Sequence, residues 1–177
     1  MSNNSKSSDS TNWNIETEKI LDNIRLNSID LEAYHKTLYF QYKNIVSRVK
    51  VPIIVLSALN SIVSVSLQPY VNQNYISLMT CGLSFVVGVI SSVSLLLKLE
   101  DNTENEHVAS RNYFRLSSEI SKVLSLKEED RGVDADIFLN QKYNEYITFF
   151  DKSNIFEGEI KDKLKELNFF GIESSKV

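Results

Sequence analysis

The chain has 177 residues, 24% of them charged, with a formal net charge of −4 and a single cysteine. That length suits one domain with extensions. Cys81 alone excludes an intrachain disulfide and a cysteine-built zinc site, and in this mildly acidic chain no strongly basic domain suggests a nucleic-acid partner. The charges are unevenly spread, with no Asp, Glu, Lys or Arg between Lys50 and Lys98. At the usual one charge in four, a gap of about 47 residues arises by chance at odds on the order of one in a few hundred thousand.

In chain order, residues 1–13 form a Ser/Asn-rich polar tail without the apolar core of a signal peptide, and are expected to be disordered up to about Trp13. Residues 14–50 are expected to be pre-membrane helix. Leu21, Ile24, Ser28, Leu31, His35, Leu38, Tyr42, Ile45 and Val49 step alternately by three and four, the spacing of a coiled-coil-like seam. "NSID" at 27–30 suits a cap and is expected to interrupt that seam, and Pro52 to kink the chain or start a new helix.

Residues 51–67 and 76–97 are the two uncharged apolar runs. As helices they span roughly 25 and 33 Å, against a hydrocarbon core of about 30 Å. A soluble helix pair of that length normally carries a charged stripe, so the expectation is a transmembrane hairpin, with a buried pair in a soluble bundle as the alternative. Residues 68–75 form the tip: Gln68-Pro69 ends the first span, Asn72-Gln73-Asn74 turns the chain, and Tyr70 and Tyr75 suit the interface. Lys43, Arg48 and Lys50 precede the first span and Lys98 follows the second, while the tip has no charge. The positive-inside rule then places both termini in the cytosol, with two spans in the membrane.

Residues 100–150 are expected to be cytosolic helices, with Ala109, Tyr113, Leu116, Ile120 and Val123 on one seam and Leu139, Tyr143, Tyr146 and Phe150 on another, broken at Arg131-Gly132. A short charged helix at about 157–167 closes the chain within a terminal segment 156–177. No stretch alternates as a strand. The predicted fold class is all-α: a two-helix transmembrane hairpin whose flanking helices form a cytosolic bundle or stalk.

Few residues carry chemistry. His35 and His107 have no metal-ligand spacing, and packing histidines outweigh a pH switch. The acidic run from Glu100 to Glu106 reads as a solvated helix start. No triad or acid/base pair is visible, so no enzyme activity and no cofactor are expected. Small and polar residues instead form two stripes. Ser57, Asn60, Ser61 and Ser64 fall within an arc of roughly 100° and are candidates to line a pore or to pack. Ser77, Cys81, Ser84, Gly88 and Ser91 step by four and three and are candidates for helix packing. Two helices cannot enclose a channel, so a pore requires a homo-oligomer in the lipid bilayer. An amide at mid-span, Asn60, must find a partner.

The stretches "YFQYKNIVSRVKVPIIVLSALNSIVSVSLQPY", "ISLMTCGLSFVVGVISSVSLLLKLE" and "YFRLSSEISKVL", with the later Arg131, Asp134, Phe138, Leu139, Tyr143 and Tyr146, resemble the SLATT superfamily (SMODS- and SLOG-associating two-transmembrane effector domains), in particular the two-transmembrane proteins of giant DNA viruses. The resemblance covers roughly residues 13–155, and 14–155 is taken as the SLATT-like domain. It implies a membrane hairpin with cytosolic helices and a pore-forming effector role, without catalytic residues. The chain has no nucleotide sensor of its own, so the resemblance also implies a separate trigger or sensor protein. The alternative is a structural or scaffolding membrane protein without conductance.

Overall fold

The computed structural model describes residues 13–153, 160 and 163–167. Four α-helices follow one another: α1 Ile15–Ser66, α2 Gln73–Leu96, α3 Leu99–Leu124 and α4 Ala135–Lys152, with a 3₁₀ turn at Glu128–Asp130 before α4. No strand occurs among the described residues. The all-α reading therefore stands, and α1 and α2 each contain an apolar stretch long enough to cross a membrane, none of it buried.

The helix ends follow from local chemistry. The Thr17 amide donates to the Asn14 side chain (2.7 Å), so Asn14 caps α1, and Glu16 and Glu18 suit its first turn. The Asn72 side chain accepts from the Asn74 amide (3.0 Å) at the start of α2. Asp134 accepts from the Asp136 and Ile137 amides at the start of α4. Between α3 and α4, Gly132 sits at φ +62°, where a side chain would be strained.

Three expectations are corrected. "NSID" does not interrupt α1: Asn27 and Ser28 are buried inside it, and the Ser28 hydroxyl donates to the Ile24 carbonyl (2.7 Å), satisfying itself within the helix. Pro52 does not start a new helix either, because its missing N–H removes only one ladder bond from α1. The turn also lies earlier than expected. Tyr70 and Val71 amides both bond the Leu67 carbonyl, and Gln73 and Asn74 already belong to α2.

The described chain divides into two compact units. The first takes α1 up to His35 and the chain from Val108 onward. Leu21, Ile24 and Leu31 of α1 meet Tyr113, Leu116 and Ile120 of α3 and Phe138, Leu139 and Tyr146 of α4, closed by Trp13 and Ile160. Fully burying each large side chain contributes about 1.5–3 kcal/mol. Trp13 therefore belongs to the core rather than to a tail: it is 8% exposed and its indole N–H donates to the Val133 carbonyl (3.2 Å). Residues 1–12, the rest of the expected tail, lie outside the described residues, as does much of the expected terminal helix. The part of that helix at 163–167 is not α-helical.

The second unit, Lys36–His107, contains the end of α1, all of α2 and the start of α3. The helices of α1 and α2 run antiparallel through half-buried Ile53, Leu56, Asn60 and Val63 on one side and Thr80, Leu83, Val87 and Ile90 on the other. Lys50 pairs with Glu100 at 2.6 Å, and Tyr39 stacks on His107 with ring centroids 5.0 Å apart. The outward faces are apolar and exposed: Ile54 is 65% exposed, Val65 72%, Phe85 71% and Leu95 81%.

Candidate functional site

In the second unit a polar contact joins α1 to α2 midway along the charge-free part of α1. Asn60 Nδ2 donates to Ser84 Oγ at 3.0 Å. Asn60 Oδ1 is buried and has no hydrogen-bond donor among the described residues. A buried amide acceptor left unmet costs about 1–3 kcal/mol, so Asn60 is the side chain of the hairpin whose polar groups are only partly satisfied.

Two other members of the first stripe, Ser61 and Ser64, spend their donors on their own helix. Ser61 Oγ donates to the Ser57 carbonyl (3.0 Å) and Ser64 Oγ to the Asn60 carbonyl (2.8 Å). Ser57 and Ser61 are exposed, and Ser64 is half-buried at the edge of the contact with α2. The two sequence stripes meet at one place, Asn60 with Ser84. Ser77, Cys81, Ser84, Gly88 and Ser91 of the second stripe are all exposed, and Ser91 shares a groove with Lys50, Ile53 and Ile54 of α1. A methyl group built on Gly88 meets nothing within 4 Å. The less exposed face of α2 consists of Ile76, Thr80, Leu83, Val87, Ile90 and Ser94. It is the predicted stripe shifted by one residue, about 100° around the helix. Within one chain the larger aliphatic side chains fill the space between the helices, so the small-residue stripe is left facing outward.

The first unit has a charged cluster that sequence reasoning missed. Lys142, 3% exposed, places its ammonium between Glu119 and Glu145, 3.0 Å from the latter, and Glu119 also takes Arg115 at 2.7 Å. Lys142 first, and then Arg115, hold the Glu119 carboxyl below its ordinary value. Burial pushes the Tyr113 and Tyr146 hydroxyls up. Tyr113 lies between His35 (centroids 5.5 Å apart, planes within 10°) and Phe149 (6.0 Å). Both histidines are thus stacked on tyrosines.

Two further contacts were also missed. Arg131 lies 4.3 Å over the Trp13 ring and pairs with Glu18. The Asn27 side chain both donates to the Lys165 carbonyl (2.8 Å) and accepts from its amide (2.7 Å), pinning the end of the described chain. Four members of the motif quoted above acquire physical roles: Arg131 clamps Trp13, Asp134 caps α4, and Phe138 and Tyr146 fill the core. Among the described residues no group of three His, Cys, Asp or Glu side chains is placed to hold a metal ion.

Fold and site together define an all-helical chain with two helices long and apolar enough to cross a membrane. The chain is 26% identical over 109 residues to a protein of Micromonas pusilla reovirus (isolate Netherlands/2005) described as "Uncharacterized protein VP11". The match takes in 62% of this chain and 56% of that protein, so the chain spans little more than half the relative's length. No family model and no solved structure matches the chain.

Proposed function

We propose that the chain is a two-span membrane protein that self-associates through its hairpin and perturbs the bilayer as a pore-forming effector, with both ends in the cytosol. The observation that carries this reading is the hairpin's surface. Over the charge-free stretch, large apolar side chains are exposed on both helices, and water does not support so large an apolar area without a partner. Lipid does. The unmet acceptor of Asn60 and the outward small-residue stripe of α2 supply the second half: in lipid, helices associate through small residues and shared polar contacts, each worth about 0.6 kcal/mol. The resemblance to SLATT domains adds the effector role and the need for a separate trigger.

Release of a trapped dye from liposomes containing the purified chain tests the pore. Leakage that drops at least severalfold in the double variant Asn60→Leu, Ser64→Leu supports the polar stripe as the path. A chain that inserts but releases no dye, or whose leak ignores both substitutions, removes that role. The second reading is a scaffold of a viral or host membrane, a setting compatible with a relative from a virus. It predicts abundant chain in purified particles and no conductance.

A further inference from the structure

We propose that the groove at the charged end of the hairpin is a binding site for one phospholipid with a zwitterionic headgroup. The inference rests on the membrane-spanning reading and adds a ligand to it. The groove has a volume of about 390 Å³, within the range of small-ligand sites. Its lining is of two kinds: Ile54 and Leu95 on the side of the apolar run, and Lys50, Lys98, Glu100 and Asp101 at the rim.

The rim carries two cations and two anions, so it does not favour a purely anionic head. Lys50 is already tied to Glu100 at 2.6 Å. Lys98 and Asp101 form no ion pair among the described residues and stand three positions apart at the same rim. A phosphate on Lys98 and an ammonium on Asp101 would match a headgroup that bears both signs, while an acyl chain runs along Ile54 and Leu95.

The backbone gives an independent reason to look here. Lys98 has φ 47°, the left-handed region, and is the sole non-glycine residue there among the described residues. Such a conformation costs of order 1–3 kcal/mol and persists where the surroundings hold it. Here the Lys98 amide donates to the Leu95 carbonyl (3.0 Å) and its own carbonyl accepts from the Asn102 amide (2.9 Å). The two-residue link Leu97-Lys98 thus joins α2 to α3 and its strained member places an ammonium in the groove, although glycine would fit that backbone at lower cost. In a spanning hairpin this rim lies at headgroup level, because the uncharged run ends at Lys98.

The test is native mass spectrometry of the full chain in mild detergent, incubated with equal amounts of phosphatidylethanolamine and phosphatidylglycerol. One phosphatidylethanolamine per chain is expected, in excess over phosphatidylglycerol by about tenfold. Lys98→Gln and Asp101→Asn, both at exposed positions, should each remove most of that excess. Ile54→Trp, which fills the groove, should lower retention of both lipids. Equal or greater retention of phosphatidylglycerol, or an excess that survives both charge substitutions, overturns the site. Detergent phase partitioning of the same sample separates the two claims. A chain that enters the detergent phase without the headgroup preference overturns the site alone. A chain that stays in the aqueous phase overturns the spanning reading and the site with it.

Discussion

Helix α1 passes through both units, and the fate of its apolar residues changes along its length. Leu21, Ile24 and Leu31 are fully buried, whereas Val51, Ile54, Ile62 and Val65 are 55%, 65%, 57% and 72% exposed. Hydrophobicity alone does not separate the two halves; the charges do. The first half alternates its apolar seam with Glu16, Glu18, Asp22, Arg25 and Glu32, the pattern of a helix with one face in water. The second half has no charged face to offer water. One helix thus carries two surface patterns, and the change falls between His35 and Lys50.

The largest effect that would sharpen this contrast is Tyr113→Ala. Tyr113 is fully buried among His35, Tyr146 and Phe149, and truncating a buried aromatic costs about 3–5 kcal/mol. Thermal unfolding in detergent, followed by loss of helix signal, should show it. Phe85→Ala on the exposed face of α2 should move the same transition by no more than about 0.5 kcal/mol. Comparable losses at the two positions would break the comparison.

Next comes a charge placed in the uncharged run. Val89→Asp, near the middle of α2, should cost about 2.5–3.5 kcal/mol of membrane insertion, read in a translocation assay with glycosylation tags. If the hairpin is instead a water-exposed helix pair, the substitution is neutral there and improves solubility.

A smaller effect probes the first unit's charged cluster. Lys142→Ala leaves Glu119 and Glu145 facing each other without their shared cation. Their side chains are 36% and 34% exposed, so water screens part of the loss and about 1–2 kcal/mol is expected in urea unfolding. Lys142→Met, which keeps the aliphatic stem, should recover some of it.

The smallest effect is one of pH. The folded state holds the Glu119 carboxyl below the ordinary value of about 4.3. Its contribution is therefore complete above that pH and is lost as pH falls through the lowered folded value. The urea midpoint should decline on acidification from about pH 5 to pH 3, and Glu119→Gln should remove less than about 1 kcal/mol of that decline. An identical decline in the variant means that other carboxylates carry it.

Much of the fold was legible because its signals are local. The charge gap, the period of the α1 and α3 seams and the polar tip all appear in neighbouring residues. Phase and continuity were less legible. The sequence stripe on α2 is small and polar, but the face that meets α1 is its neighbour, rich in Ile, Leu and Val. Which of two adjacent stripes faces inward depends on a partner helix, not on the helix that carries it. "NSID" looked like a cap because Asn and Ser favour helix starts, yet the bonds to Ile24 and Lys165 satisfy both residues inside α1. Lys142 was passed over since a lysine among aromatics usually extends to water. The hint was its spacing of three from Glu145. Its other partner, Glu119, lies on another helix.

Pro52 can now be given a further meaning. A proline inside a continuous helix donates no hydrogen bond, so the carbonyl of Arg48 receives none from position 52. In water that vacancy is filled by solvent, whereas in hydrocarbon an unmet carbonyl costs several kcal/mol. For a spanning hairpin this sets a limit on immersion. A helix immersed only to that level would keep the Arg48 carbonyl in reach of water, with Lys50 and its partner Glu100 beside it. Pro52 then acts as a depth mark cut into the rod.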